Sequence, residues 1–130
     1  MYLEHVPTFF LYFASASLSM LVFVTVYIYL TPYNELHEIR DKHNNAAAIA
    51  LSGALIGYAL PIASLLIHSV NIIDFFMWAI IACLVQLFAF VVSFIFRVQK
   101  RIAEQDVSAG IMLASISIVA GILNAACLTY

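Results

Sequence analysis

Residues 46–68 read AAAIALSGALIGYALPIASLLIH. These 23 positions (68 − 46 + 1) contain no Asp, Glu, Lys or Arg, and the flanking charges are as far off as Lys42 and Asp74. At 1.5 Å of rise per residue, about 20 apolar residues in a helix cross a ~30 Å hydrocarbon core. Within the run Ala46, Ala50, Gly53 and Gly57 recur at steps of four, three and four, which is the period of a helix and not the period two of a strand. Backbone groups in lipid must also be bonded inside their own segment. The stretch is a transmembrane helix.

The same reading extends outward in both directions. Charged residues are absent between Glu4 and Glu35, between Asp74 and Arg97, and after Asp106. The spans fall near 8–30, 46–68, 75–96 and 108–129, and residues 1–130 form a single all-α integral membrane domain of four transmembrane helices. The alternating polar positions of a membrane β-barrel are absent. Composition agrees: 65% of the 130 residues are hydrophobic, 9% are charged, and mean hydropathy is +1.06. A soluble domain carries charge on about a quarter of its residues. The first span is expected to be retained, because no Lys or Arg precedes Arg40 and its apolar run exceeds that of a signal peptide.

The spans form two similar pairs. Each is an aromatic-rich helix, a charged loop and a helix rich in small residues. Gly110, Ala114, Ser117 and Gly121 repeat the steps of Ala46, Ala50, Gly53 and Gly57 at a distance of 64 positions. Capping residues (Asn44 or Asn45 for the second span, Asp106 or Ser108 for the fourth) point to a shift of 61 instead, so two registers stay open. Since each unit crosses twice, these are parallel two-helix repeats, about 8–68 and 75–130. Small residues let helix backbones approach closely in lipid, where no hydrophobic drive joins them. The seam, continued by Pro61 and Ser64, forms either the bundle interior or a contact between subunits. Pro61 removes one backbone bond and is expected to kink its helix.

Phe9, Phe10, Tyr12, Phe13, Tyr27 and Tyr29 bracket the first span, and Phe75, Phe76, Trp78, Phe94 and Phe96 the third. They read as interfacial belts. All five basic residues lie in two loops, Arg40 and Lys42 in one, Arg97, Lys100 and Arg101 in the other. By the positive-inside rule both loops face the cytoplasm and both termini face outward. In the first loop Thr31-Pro32 starts a short helix to residue 42. Leu36 and Ile39 lie there among Glu35, Glu38, Arg40, Asp41 and Lys42, as in an amphipathic helix on the membrane surface.

Few groups carry chemistry. No ionisable side chain stands at mid-membrane, where a proton or ion path would need one. Gln86 is the deepest strong hydrogen-bonding side chain, and reads as an interhelical bond or as part of a pore or pocket. Asn124 and His68, near the outer face, are further candidates for such a pocket. Cys83 and Cys127 lie at different depths and read as packing residues rather than a disulfide. No catalytic set, metal-ligand spacing or cofactor motif occurs, and a net charge of −2 argues against nucleic acid.

Certain stretches resemble a known family: Thr31-Pro32-Tyr33-Asn34-Glu35, Asn45-Ala46-Ala47-Ala48, Gly53, Gly57-Tyr58-Ala59-Leu60-Pro61, Trp78, Gln86-Leu87, and Gly121-Ile122-Leu123-Asn124-Ala125-Ala126-Cys127-Leu128-Thr129-Tyr130. They are similar to the YjfL-type small bacterial inner-membrane proteins, whose shared domain is of unknown function. A methionine is usual where Leu128 stands. The resemblance implies a multi-pass protein of the bacterial inner membrane and, by association, a link to envelope stress with a membrane-stress protein as partner. It supplies no catalytic residues. The expected function is a non-enzymatic scaffold or membrane-maintenance component that assembles as a homo-oligomer. The alternative is a small homo-oligomeric channel or transporter.

Overall fold

The computed structural model describes residues 5–30, 39–95 and 98–128. It contains helices α1 (Val6–Leu30), α2 (Asn45–His68), α3 (Ile72–Ile95), α4 (Val98–Ala103) and α5 (Val107–Cys127). All but α4 are long and apolar enough to cross a membrane.

The helix starts follow from local chemistry. Asn44 caps α2, its side chain accepting the Ala47 N–H at 3.1 Å, so the cap is Asn44 and not Asn45. Asp106 caps α5 through the Ser108 N–H. Between α2 and α3 the capping is reciprocal: Asn71 Oδ1 accepts the Asp74 N–H at 2.9 Å, and Asp74 Oδ2 accepts the Val70 N–H at 3.1 Å.

At the opposite end, α4 closes on Gln105, whose φ of 64° is left-handed. Asp106 N–H then reaches the Arg101 carbonyl and Gln105 N–H the Ile102 carbonyl, each at 2.9 Å, the two bonds of a Schellman closure. His43 has a φ of 53° and likewise sits just before a cap, Asn44. The caps are thus 62 positions apart (106 − 44), not 61. Asn44 joins the two connections, because its Nδ2 donates to the Ile102 carbonyl at 2.8 Å. Arg40, Lys42, Lys100 and Arg101 therefore lie at the same end of the bundle.

α2 and α5 are the tightest pair. Ideal Cβ atoms built on Gly53, Gly57, Gly110 and Gly121 would strike Ala114, Ser117, Ala46 and Gly57 respectively. The numbers rise together along both helices, so these two run parallel. Ala46 with Gly110 and Gly57 with Gly121 are each 64 positions apart. α3 turns one stripe inward, Phe75, Ala79, Ala82, Gln86 and Phe90. α1 buries Ser15, Ser19, Phe23 and Tyr27, every fourth residue, flanks them with the half-buried Tyr12, Ala16, Met20 and Val24, and leaves its outer face to lipid.

Two of the expected belt residues belong to the core instead. Tyr27 is 1% exposed and Phe75 0%. Tyr27 packs on Phe90 with ring centroids 4.8 Å apart, and Phe75 meets Tyr12 edge-on at 6.0 Å. Phe23 stacks on Tyr58 at 4.5 Å. Aromatic contacts hold the later turns of α1 to α2 and α3, while the small residues Ser15 and Ser19 are buried in its earlier turns. Phe9, Phe10, Phe13 and Tyr29 remain exposed, as a belt requires. Phe94 and Phe96 lie outside the residues whose side chains are described.

Candidate functional site

Polar side chains inside the bundle converge on helix backbones. Gln86 of α3 is 2% exposed and its Nε2 donates to the Ser117 carbonyl of α5 at 2.7 Å. Asn124 of α5, 7% exposed, donates through Nδ2 to the Ala82 carbonyl of α3 at 3.0 Å. The Tyr58 hydroxyl of α2 donates to the Ala79 carbonyl at 3.0 Å, and the Ser64 hydroxyl to the Ala125 carbonyl at 3.0 Å. Each bond crosses from one helix to another. In lipid such bonds average about 0.6 kcal/mol, so the set contributes a few kcal/mol and fixes the rotation of each helix.

The centre of this set is crowded. A Cβ on Gly57 would strike the Ser117 carbonyl and come within 2.6 Å of Gln86 Nε2. Only glycine leaves room for the carboxamide to reach its acceptor. Pro61 has no N–H, so the Gly57 carbonyl lacks its usual helical donor, and the backbone of Gly121 covers that oxygen. Within this set Gln86 Oε1 is buried without a hydrogen-bond partner.

The family model described as Domain of Unknown Function (DUF350) matches residues 1–128. The chain belongs to the DUF350 family. Relatives of this DUF350 chain include the UPF0719 inner membrane protein YjfL of Escherichia coli strain K12, 35% identical over 130 residues and covering 98% of each chain. The same-named protein of Escherichia coli O157:H7 matches to the same extent. No solved structure matches. Together with four spans of sufficient length, the relatives establish a multi-pass protein of the inner membrane.

In this DUF350 chain every residue of the small-residue seam, Ala46, Ala50, Gly53, Gly57 and Pro61 with Gly110, Ala114, Ser117 and Gly121, is buried between α2 and its neighbours. Asn124 and His68 differ in burial and in the helix that each meets. Asn124 is turned into α3, whereas His68 is exposed and its Nδ1 pairs with the Ser64 carbonyl of its own helix at 2.9 Å. Arg40 and Lys42 are exposed; Glu35 and Glu38, with most of the expected surface helix, lie outside the described residues. Both cysteines are free thiols. No three His, Cys, Asp or Glu side chains converge as metal ligands among the described residues. Sequence reasoning named Asn44 only as a cap candidate and Tyr58 only within the resembling stretch, and foresaw neither the Asn44–Ile102 nor the Tyr58–Ala79 bond.

Proposed function

We propose that this protein performs no chemistry of its own and acts as a membrane-embedded structural module that assembles with further copies of itself. One observation carries the reading: Gln86, Asn124, Tyr58 and Ser64 are all bonded to backbone carbonyls inside the bundle, so the surface left to partners is apolar and shape-based. On α2 that surface includes Ser52, Ala59 and Ala63, exposed at steps of seven and four. Small residues facing lipid at helical spacing favour close contact with another helix.

The two-copy architecture draws support from seam positions 64 apart lying face to face, and from a left-handed residue before each cap. Placing the basic loops in the cytoplasm and the termini outside draws support from the positive-inside rule and from the four basic residues near the Asn44–Ile102 bond. A role in membrane maintenance, beside a stress-response partner, rests on the family resemblance. The channel reading requires several copies to enclose a path, and no observation favours it over the structural one.

Cross-linking in membranes tests the assembly. With Cys83→Ser and Cys127→Ser as background, Ala59→Cys or Ala63→Cys should form disulfide-linked dimers on oxidation, while Ile80→Cys on α3 should not. Equal, background-level linking at all three positions, together with a strictly monomeric mass in detergent, would refute it.

A further inference from the structure

We propose that the cleft between α1 and α3 binds one acyl chain of a bilayer phospholipid, held sideways within the membrane. The cleft encloses about 240 Å³. Leu18 and Val22 of α1 and Ile80 and Leu84 of α3 form its walls; Tyr58 of α2 and Cys83 form its floor. All four wall residues are more than half exposed, whereas Tyr58 is 2% exposed. The walls are therefore part of the lipid-facing surface, and the cleft continues that protein–lipid boundary inward.

The chemistry of the lining selects the occupant. Ser19, which also lines the cleft, spends its hydroxyl on the Ser15 carbonyl at 2.9 Å, and the Tyr58 hydroxyl is spent on Ala79. Water needs two to four polar partners, and a headgroup needs more. A helix is about 10 Å across with its side chains and is too broad to enter. A flexible hydrocarbon chain fits, and it restores the dispersion contacts that the lining would lose around a void. It also adds to the packing of α1 beside its buried Ser15, Ser19, Phe23 and Tyr27.

The test uses the full chain in vesicles of phosphatidylethanolamine and phosphatidylglycerol, with a trace of phosphatidylcholine bearing a diazirine at mid-chain. After irradiation, mass spectrometry should find adducts on Tyr58 and Cys83 as well as on Leu84. Ser19→Leu or Val22→Phe, filling the cleft from α1, should remove most of the label from Tyr58 and Cys83 and leave Leu84 labelled. Adducts confined to the wall residues of the unaltered chain would overturn the proposal. So would oxidative Cys83–Cys83 linkage between copies in the same vesicles, which assigns the cleft to a second copy.

Discussion

Gly121 lies with its backbone against the carbonyl of Gly57, the oxygen that Pro61 deprives of its helical donor. A Cα–H group is a weak donor, and glycine is the residue that brings it close enough to serve. The proline and the glycine therefore act as one feature, although they stand 60 positions apart (121 − 61).

Gly121→Ala should drive the two helices apart, since its Cβ would land on the Gly57 carbonyl. Overpacking of this kind costs about 1–3 kcal/mol. Unfolding in mixed detergent micelles measures it, and a midpoint equal to that of the unaltered chain would remove the close contact from the account.

Gln86→Leu and Gln86→Ala should differ. Leucine gives up one bond to Ser117 but also removes the unpartnered Oε1, so the net change is expected within about 1 kcal/mol. Alanine leaves a cavity and should cost about 2–4 kcal/mol. If leucine proves as damaging as alanine, Oε1 has a partner, and the pore or pocket reading regains ground.

Asn44→Ala should destabilise the fold by about 1–3 kcal/mol, because it loses a cap and the bond to the Ile102 carbonyl, which keeps only its Gln105 N–H. Asn45, exposed at the first position of α2, is the control and should tolerate alanine. Equal losses at both positions would contradict the assignment.

Gln105→Gly should stabilise the chain by about 0.5–1 kcal/mol, the left-handed strain of a side-chain residue less the entropy of glycine. A higher thermal midpoint in detergent reads this directly; a lower one would mean the Gln105 side chain makes a compensating contact.

Acid should weaken the α4–α5 corner. The hydrogen bond from Arg101 Nε at 2.9 Å holds the Asp106 carboxyl below its ordinary value, aided by the charge of Arg101 and the N–H groups of Ala109 and Ser108. A pKa depressed in the folded state adds stability above the unfolded value, and that contribution is lost as pH falls through the folded one. Thermal midpoints followed downward from pH 7 should fall less in Asp106→Asn than in the unaltered chain. The pair is exposed, so the effect is small; parallel curves would show that it contributes nothing.

Much of the bundle is legible in the sequence because lipid is an unforgiving solvent. Any uncharged run long enough to cross must be helical, and all four spans are found within three residues of their expected ends. Aromatic residues were harder to place. Tyr27 and Tyr29 are two positions apart, yet one is 1% exposed and the other 85%. Both rings satisfy a belt by composition, and only the rotation of α1 separates them. His68 and Asn124 were grouped by depth, which sequence supplies, but they face different ways, which it does not.

Composition and charge spacing alone determined that this is a four-span membrane protein with its basic loops at one end, because the cost of burying charge in hydrocarbon acts on each segment separately. Only the tertiary structure decided that Gln86 meets Ser117, that Asn44 holds Ile102, and that Gly57 faces Gly121. Those pairings depend on the relative rotation and offset of helices, and in lipid these are set by a few close contacts between residues far apart in the chain.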